Sequence, residues 1–339
     1  MKAVWIRKHG RPDVLEVREG RDPAPGVGEV RIGVRASGIN FAEIMARQGL
    51  YPDAPPPPMV VGYEVSGVID KVGDGVTGRS AGQRVLAMTR FGGYADLVCV
   101  DAAQTYVMPE QMTFEEGAAL PVAYLTAYHM LFNVMRVRAG DHILIHQAAG
   151  GVGTAALQLC RSVGGVTTYG TGSQRKHQYM LDNGCDRPID YHSADYVSEV
   201  NGLTGGRGVH GILNAVGGDD WKKDYSLLRP GGLLICFGWA NMLTGDRRRM
   251  TRVLSQVARV PWWTPTKLMN ENKGVAGVNM GQLWNEKDLA SEAFTALLEL
   301  YRQGHIKPYV DRTFPFEQAA DAHAYIEAGQ NRGKVLLTP

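Results

Sequence analysis

The chain contains little cysteine, and its cysteines are far apart. Four occur among 339 residues, at positions 99, 160, 185 and 236. No two have the short spacing of a zinc ligand pair or a redox-active pair, and a disulfide scaffold is excluded. We therefore expect four reduced thiols in a reducing, cytoplasmic compartment.

The chain also lacks an excess of charge of either sign. Lysine and arginine number 36, aspartate and glutamate 34, and the formal net charge is +2. This balance, with no recognised DNA-reading helix or RNA-stacking motif, argues against a nucleic-acid partner. Glycine is abundant, with 42 residues, which predicts many tight turns in a soluble globular protein.

Long hydrophobic runs are scarce. The N-terminus, MKAVWIRKHG, has no apolar stretch that could serve as a signal peptide. Residues 117–135 carry no formal charge over 19 positions, a length close to that of a membrane span. Because this segment contains Pro121, Thr126, His129 and Asn133, we interpret it as a buried helix of a soluble protein.

Two halves of the chain have different rhythms. Residues 1–120 alternate short β-like runs with Gly, Pro and Asp clusters, which predicts a strand-rich, barrel-like domain. From about residue 140, apolar strands alternate with helical stretches, as in a doubly wound parallel sheet. The predicted fold class is α/β, with one domain at 1–120 and 305–339 and a second at 121–304.

The segment HILIHQAAGGVGTAALQLC has the strand–turn–helix pattern of a dinucleotide-binding site. Gly150 and Gly151 permit a tight turn that approaches a diphosphate, and Gly153 lets the helix pack closely. The pattern is not a strict GxGxxG, and its weight comes from the strand before it and the helix after it. The predicted cofactor contacts here are Ala149, Gly150, Gly151, Val152 and Gly153.

The end of the next strand favours NADPH over NADH. NAD sites usually place an acid about 20 residues after the glycines, but none occurs from Thr154 to Leu181. Ser173, Arg175 and Lys176 stand there instead, and a hydroxyl with two cations suits a 2′-phosphate. Ser173 is equally suited to cap the following helix, and the two roles are compatible.

Several segments resemble the medium-chain dehydrogenase/reductase superfamily. They are GINFAEIMARQGLY, VVGYEVSGVIDKVGDGV, MTFEEGAALPVAYLTAYHML and AAGGVG. Zinc members carry Cys at the position of Asn40 and His at that of Tyr63, together with a four-cysteine lobe. This chain has none of these, so we expect no metal.

The chain is similar to the zinc-free quinone oxidoreductase branch and, within it, to the vesicle amine transport protein homologues. The strings that carry this similarity include AAGGVGTAALQLCRSV, PIDYHSADYV and YRQGHIKPYVD. The resemblance implies an N-terminal GroES-like β-barrel domain, a Rossmann domain, NADPH as cofactor and a homodimer.

The resemblance also implies NADPH-dependent, zinc-independent reduction of quinones or α,β-unsaturated carbonyls by hydride transfer. Without a Lewis acid, the protein would orient the acceptor and donate a hydrogen bond to its oxygen. The candidate catalytic residues are Asn40, Tyr51 and Thr126. Asn40 has an alternative role as the N-cap of the helix FAEIMARQG, in which Glu43 and Arg47 would form an i,i+4 pair.

Further cofactor contacts are implied by the resemblance alone. Tyr191 would lie near the adenine, or would be a packed surface aromatic. Phe237 and Gly238 would lie near the nicotinamide, and a C-terminal loop would return to the phosphates. The remaining candidates are Asn214, Val216, Gly217, Asn331, Arg332 and Lys334.

Residues 239–272 interrupt the strand–helix alternation with a basic stretch that ends in Trp262 and Trp263. We interpret it as a lid or a dimer-contact helix. A basic helix with an aromatic end is also typical of peripheral membrane contact, here through 246–267. The alternative function is therefore an NADPH-binding adaptor or membrane-associated protein with little or no turnover.

Overall fold

The computed structural model describes residues 1–240 and 260–339. They divide into two compact units, residues 1–125 with 281–339, and residues 126–280. The domain boundaries predicted from the sequence stay a prediction, because a division by packing does not measure which segments fold alone. The arginines of the basic stretch, Arg247, Arg248, Arg249, Arg252 and Arg259, lie outside the described residues.

The described residues form sixteen β-strands. They are β1 (Lys2–Ile6), β2 (Leu15–Glu19), β3 (Glu29–Ile39), β4 (Met59–Val60), β5 (Glu64–Val72), β6 (Arg84–Met88), β7 (Leu97–Asp101), β8 (Thr105–Val107), β9 (His142–Ile145), β10 (Thr167–Gly172), β11 (Arg187–Asp190), β12 (Val209–Asn214), β13 (Leu228–Cys236), β14 (Gly274–Gly277), β15 (Val310–Pro315) and β16 (Lys334–Thr338).

The α-helices of the same residues are short, except for one in each unit. They are α1 (Phe41–Gln48), α2 (Phe114–Ala119), α3 (Pro121–Tyr128), α4 (Gly151–Val163), α5 (His177–Asp182), α6 (Tyr196–Leu203), α7 (Asp219–Leu227), α8 (Pro265–Glu271), α9 (Lys287–Arg302) and α10 (Ala319–Glu327).

The unit of residues 126–280 is built on a parallel sheet. Its strand order is β11-β10-β9-β12-β13-β14, and every neighbouring pair is parallel. Numbered within the sheet, this is the order 3-2-1-4-5-6 of a doubly wound dinucleotide-binding fold. The order reverses between β9 and β12, and the crevice outside the carboxyl ends of such strands is the usual ligand site. The predicted parallel sheet is confirmed.

The other unit is strand-rich, as predicted. A seven-stranded sheet has the order β15-β16-β3-β5-β6-β8, with β7 also paired to β3, and a three-stranded sheet has the order β2-β1-β4. The long strand β3 pairs with β5, β7 and β16, which places its carboxyl end beside the C-terminal strand. Apolar side chains from β1, β3, β16 and α10 form one core of this unit.

The C-terminal amphipathic helix belongs to this strand-rich unit. On α9, Phe294 is fully buried and stacks on Tyr106 with ring centroids 4.0 Å apart. At the end of the helix, the Tyr301 hydroxyl donates to Glu116, 2.8 Å away. The apolar face of this helix therefore packs against the sheet to which the last strand also belongs.

The uncharged stretch 117–135 is divided between three helical segments. α2 ends at Ala119, α3 begins at Pro121, and residues 129–135 form a π-helix. Proline at the first position of α3 explains the break, since it cannot donate to the preceding turn. Within the described residues, no helix has both the length and the apolar character needed to cross a bilayer.

Candidate cofactor site and a buried polar cluster

The glycine turn after β9 has the geometry of a dinucleotide cradle. Gln147, not a glycine, takes the left-handed conformation, with φ +51°. Gly150 is the N-cap of α4, which begins at Gly151. A Cβ on Gly153 would lie 2.5 Å from the Gln147 carbonyl oxygen and 2.6 Å from Ala148 Cα. Glycine is therefore required at 153, and it lets the first turn of α4 come close to the strand end.

The residues predicted to choose the cofactor lie directly after β10, the strand beside β9. Ser173 is the N-cap of a 3₁₀ helix over Gln174–Lys176, but its hydroxyl makes no capping hydrogen bond. Arg175 is exposed and Lys176 is half-buried. The structure thus brings a hydroxyl and two cationic side chains to one strand end of the parallel sheet.

The turn after β12 is shaped from beneath by Asn214. This side chain is fully buried, and its Oδ1 accepts hydrogen bonds from the backbone N–H groups of Val216 and Gly217 at 2.7 and 2.8 Å. Gly217 has φ +81°, and a Cβ there would lie 2.1 Å from Trp239. Asn214 therefore holds the turn, and the part of Asn214, Val216 and Gly217 in lining the cofactor stays a prediction.

Three other predicted cofactor contacts occupy two distinct positions in this unit. Phe237 donates its backbone N–H to the Asn214 carbonyl oxygen at 3.0 Å, and Gly238 lies so close to Ala215 that a Cβ would be 2.8 Å from its oxygen. Tyr191 follows β11, is 52% exposed and contacts His192, with tilted rings whose centroids lie 4.2 Å apart. Its exposure is compatible with either role predicted for it.

Sequence reasoning missed a buried histidine–aspartate pair in this unit. His146 immediately precedes the glycine turn, and its Nε2 lies 2.9 Å from Oδ1 of Asp224 on α7. Both side chains are at most 4% exposed. Burial opposes the charged form of His146, but the attraction and hydrogen bond of Asp224 outweigh it and raise the pKa of His146. A polar residue ending the apolar run HILI was the signal in the sequence.

Lys334 belongs to a buried cluster in the strand-rich unit. Its Nζ donates to the Ile39 carbonyl oxygen at 2.9 Å, to Asn40 Oδ1 at 2.7 Å and to Glu64 Oε1 at 2.6 Å. These bonds use all three ammonium hydrogens, and the residue is 4% exposed. The expectation that Lys334 contacts cofactor phosphates is therefore wrong, because no donor remains for a phosphate.

The rest of the predicted C-terminal phosphate loop also makes contacts within this unit. Asn331 Nδ2 donates to the Gly333 carbonyl oxygen at 3.1 Å. The Arg332 backbone N–H donates to Asp311 at 3.1 Å, and its Nε lies 3.8 Å from the same carboxylate. The part of Asn331 in cofactor binding stays a prediction.

The amide of Asn40 is directed into the same cluster. Its Nδ2 lies 2.8 Å from Glu64 Oε1 and 3.4 Å from Glu43 Oε1, while its Oδ1 accepts from Lys334. Both amide hydrogens thus point to carboxylates, which contradicts the expectation of a donor directed to substrate. Asn40 is the N-cap residue of α1, in agreement with its alternative role.

Glu43 is a fully buried carboxyl group at the start of α1. It accepts the backbone N–H groups of Asn40 at 2.9 Å and Tyr63 at 3.0 Å. Burial raises the pKa of Glu43 to about 7, against the opposing attraction of Lys334. The predicted pairing of Glu43 with Arg47 is wrong: Arg47 instead bonds to Glu327 at 2.7 Å.

The remaining candidate donors are a tyrosine and a threonine. Tyr51 is half-buried, and its ring meets that of Tyr63 edge to face, with centroids 5.9 Å apart. Burial raises the pKa of Tyr51, so its hydroxyl keeps its proton at neutral pH. Thr126 is 7% exposed on α3. Tyr51 and Thr126 belong to different units.

The residues at the positions of the zinc ligands of zinc members do not fit zinc. Zinc prefers Cys, His and carboxylate ligands, whereas Asn40 and Tyr63 stand where zinc members have Cys and His. The Lys334 ammonium lies against Asn40 Oδ1 and would repel a cation. The described residues contain no cluster of three or more His, Cys, Asp or Glu side chains arranged to hold a metal.

Comparisons with known proteins agree with this architecture. Residues 26–110 match the model of the alcohol dehydrogenase GroES-like domain, and residues 183–337 match that of the zinc-binding dehydrogenases. The rat synaptic vesicle membrane protein VAT-1 homolog is 47% identical over 96% of this chain and 80% of that protein. Rat quinone oxidoreductase is 31% identical over 99% of this chain and 97% of that protein.

A solved structure extends the match to the whole fold. The quinone oxidoreductase of Escherichia coli, complexed with NADPH, superposes with a TM-score of 0.89 at 29% identity and covers 100% of both chains. The N-terminal GroES-like domain and the Rossmann-type sheet are thereby confirmed. The chain belongs to the medium-chain dehydrogenase/reductase superfamily, a family of oxidoreductases, in the group that contains the VAT-1 homologues and the quinone oxidoreductases.

Proposed function

We propose that this protein binds NADPH and reduces quinones or α,β-unsaturated carbonyls by hydride transfer, without zinc. The observation that carries the proposal is the cradle after β9, where Gly153 permits the close approach of α4 to the turn. The similar quinone oxidoreductase of Escherichia coli is complexed with NADPH. Bound NADPH would supply the hydride.

The residues at the end of β10 favour NADPH, the cofactor that carries a 2′-phosphate. Ser173, Arg175 and Lys176 would hold the 2′-phosphate by hydrogen bonds and charge, and no acid stands among them to repel it. The first-turn N–H groups of α4 would receive the diphosphate. Together these elements bind the cofactor in a fixed orientation.

Tyr51 is the donor that we retain for the acceptor oxygen. Its protonated hydroxyl can stabilise negative charge that develops on an enolate or quinol oxygen. Thr126 is a second hydroxyl that could orient the acceptor. The zinc-free character of the proposed reaction is supported by the Lys334 ammonium, which lies against Asn40 at the position where zinc members have a Cys.

An acceptor panel tests this chemistry. NADPH oxidation is followed with a quinone, an enone and a saturated ketone, each in the presence of a metal chelator. We expect turnover with the first two acceptors and little with the third. Tyr51→Phe should lower kcat by about 100-fold, the usual effect of removing one such donor. Tyr325→Phe, which removes a hydroxyl bonded to Asp311, is the control.

A second candidate function is peripheral membrane contact with little turnover. Trp262 is 88% exposed and Met269 is 73% exposed, an unusual exposure of large apolar side chains within one short segment. Trp263, in contrast, packs on Tyr225, with ring centroids 5.5 Å apart. Lys267 forms a salt bridge with Glu271 at 2.9 Å, which reduces its charge available to lipid.

Liposome sedimentation separates the two functions. Membrane contact predicts binding to anionic vesicles that falls with Trp262→Ala and with Arg247→Glu, Arg248→Glu. Val27→Ala, which removes a side chain 83% exposed in the other unit, is the matched control. Absence of vesicle binding would leave the reductase as the one remaining candidate function.

We also propose that the protein is a homodimer in the cytoplasm. Light scattering would test the homodimer, and cell fractionation would test the location.

A further inference from the structure

One buried carboxylate joins the two turns at the point where the strand order reverses. Asp224 accepts from His146 Nε2 at its Oδ1 and from Asn214 Nδ2, 2.5 Å away, at its Oδ2. His146 follows β9 and Asn214 ends β12, and the His146 backbone N–H donates to the Leu213 carbonyl oxygen at 3.0 Å. The pair thus lies directly beneath the proposed cofactor cradle.

Each end of this network reaches the backbone of a turn. His146 Nδ1 lies 3.1 Å from Thr171 Oγ1, and that oxygen accepts the backbone N–H of Gln147 at 3.2 Å. Gln147 is the left-handed residue that opens the glycine turn. At the other end, Asn214 Oδ1 holds the turn at Val216 and Gly217.

The other groups that face the pair leave a protonated His146 as the charge that compensates the Asp224 carboxylate. The Tyr196 hydroxyl of α6 also donates to Asp224 Oδ1 at 2.9 Å, and its ring meets His146 edge-on, with centroids 5.0 Å apart. From α7, Asp220 favours and Lys223 opposes a proton on His146. Thr171 and Asn214, facing from β10 and β12, are neutral.

We propose that His146 and Asp224 are a positioning pair that couples the proton on His146 to the affinity of this unit for an anionic dinucleotide; this inference rests on the proposed function. With His146 protonated, the pair is neutral overall and its bonds hold both turns. When His146 loses the proton, the Asp224 carboxylate is left as an uncompensated buried charge behind the turn that receives the diphosphate. Like charges repel strongly at low dielectric, so cofactor binding weakens.

The direction of the pH dependence follows from the contacts. Burial disfavours the charged imidazole, but Asp224 outweighs it and raises the pKa of His146, so the proton is lost at a higher pH than from an ordinary histidine. A 2′-phosphate, with a second pKa near 6, is fully ionised there and does not contribute. NADPH affinity should therefore fall as pH rises from 7 to 9.

The test is the Kd of NADPH at pH 7, 8 and 9, measured by tryptophan fluorescence. We expect the wild-type Kd to rise by about tenfold, within the usual range of coupling between sites. His146→Gln should bind weakly at every pH, since its Asp224 charge is never compensated. Asp224→Asn should show no pH dependence. His142→Gln, a change at the other end of β9 where the ring contacts Tyr169, should keep the wild-type profile.

A wild-type Kd that is constant with pH, or a slope that survives in His146→Gln, would overturn the inference. Reciprocity gives a second test that needs no variant: saturating NADPH should raise the pKa of His146 in a ¹⁵N-histidine NMR titration. An unchanged pKa would overturn the coupling while leaving the proposed function intact. Failure of the wild type to bind NADPH at any pH would overturn both.

Discussion

The Nζ atom of Lys334 lies 2.6 Å from Oε1 of Glu64, and the two side chains are 5% and 0% exposed. The bond joins residues 270 positions apart and ties the last strand, β16, to the start of β5. Because Lys334 also donates to Asn40, whose amide faces the carboxylates of Glu64 and Glu43, the ammonium contributes to the environment of the start of α1. This buried charge lies against Asn40, which stands where zinc members of the family have a Cys.

Removal of the ammonium should be costly. Lys334→Met leaves two carboxyl groups buried without their cation, and we expect the free energy of unfolding to fall by about 3–5 kcal/mol. Urea unfolding measures this change. Lys287→Met is the matched control, since it breaks an exposed ion pair with Asp101 and should cost less than about 1 kcal/mol. Equal effects would contradict a special role for the buried pair.

Glu43 should make stability depend on pH. Its pKa is raised from 4.5 to about 7 in the folded protein, so its contribution is present below about 4.5 and is lost as pH rises through 7. The loss amounts to about 3 kcal/mol between pH 4.5 and 8. In Glu43→Gln, this decline in unfolding free energy should be absent. A decline of the same size in the variant would assign it to another group.

Cofactor preference should follow the residues after β10. Ser173→Asp combined with Lys176→Glu places two carboxylates where a 2′-phosphate would bind, and should weaken NADPH by more than about tenfold. NADH, which lacks that phosphate, should be affected far less. Fluorescence titration with both cofactors measures the ratio, and Gln174→Glu on the adjacent exposed position is the control. If the double variant binds the two cofactors equally weakly, or loses neither, the basis for choosing NADPH is removed.

The close approach at Gly153 gives a direct test of the cradle. A methyl group there meets backbone atoms of Gln147 and Ala148 at 2.5–2.6 Å, so Gly153→Ala must displace the turn. We expect cofactor binding to weaken by at least about tenfold, as a shift of a few tenths of an ångström misplaces the N–H donors. Gly202→Ala, in α6 with open space around it, should leave the Kd unchanged and stabilise the fold slightly.

Local sequence patterns are sufficient to predict most of the fold. The alternation of apolar strands with helices predicts the parallel sheet, because strand and helix periods are properties of short segments. The glycine turn after β9 is predicted for the same reason, because its pattern also lies within a short segment. The left-handed conformation of Gln147 is not predicted by the sequence, since a residue at positive φ is normally glycine or asparagine.

Long-range partners decided the predictions that failed. Arg47 bonds to Glu327, 280 residues away, instead of to its helical neighbour Glu43. Asn40 turns its amide inward because Lys334, 294 residues later, lies against its oxygen. No spacing in the sequence indicates which strand end a distant lysine reaches. The pairing of His146 with Asp224 was hidden in the same way, 78 residues apart.

Hydride transfer from NADPH to an acceptor without zinc can be followed with an isotopic label. The most direct measurement uses NADPH deuterated at either face of the nicotinamide, an enone acceptor and a metal chelator, with the product analysed by mass spectrometry. We expect one of the two labelled cofactors to deliver deuterium to the product. A reduced product without deuterium from either cofactor, or no product despite saturable NADPH binding, would rule out this hydride transfer.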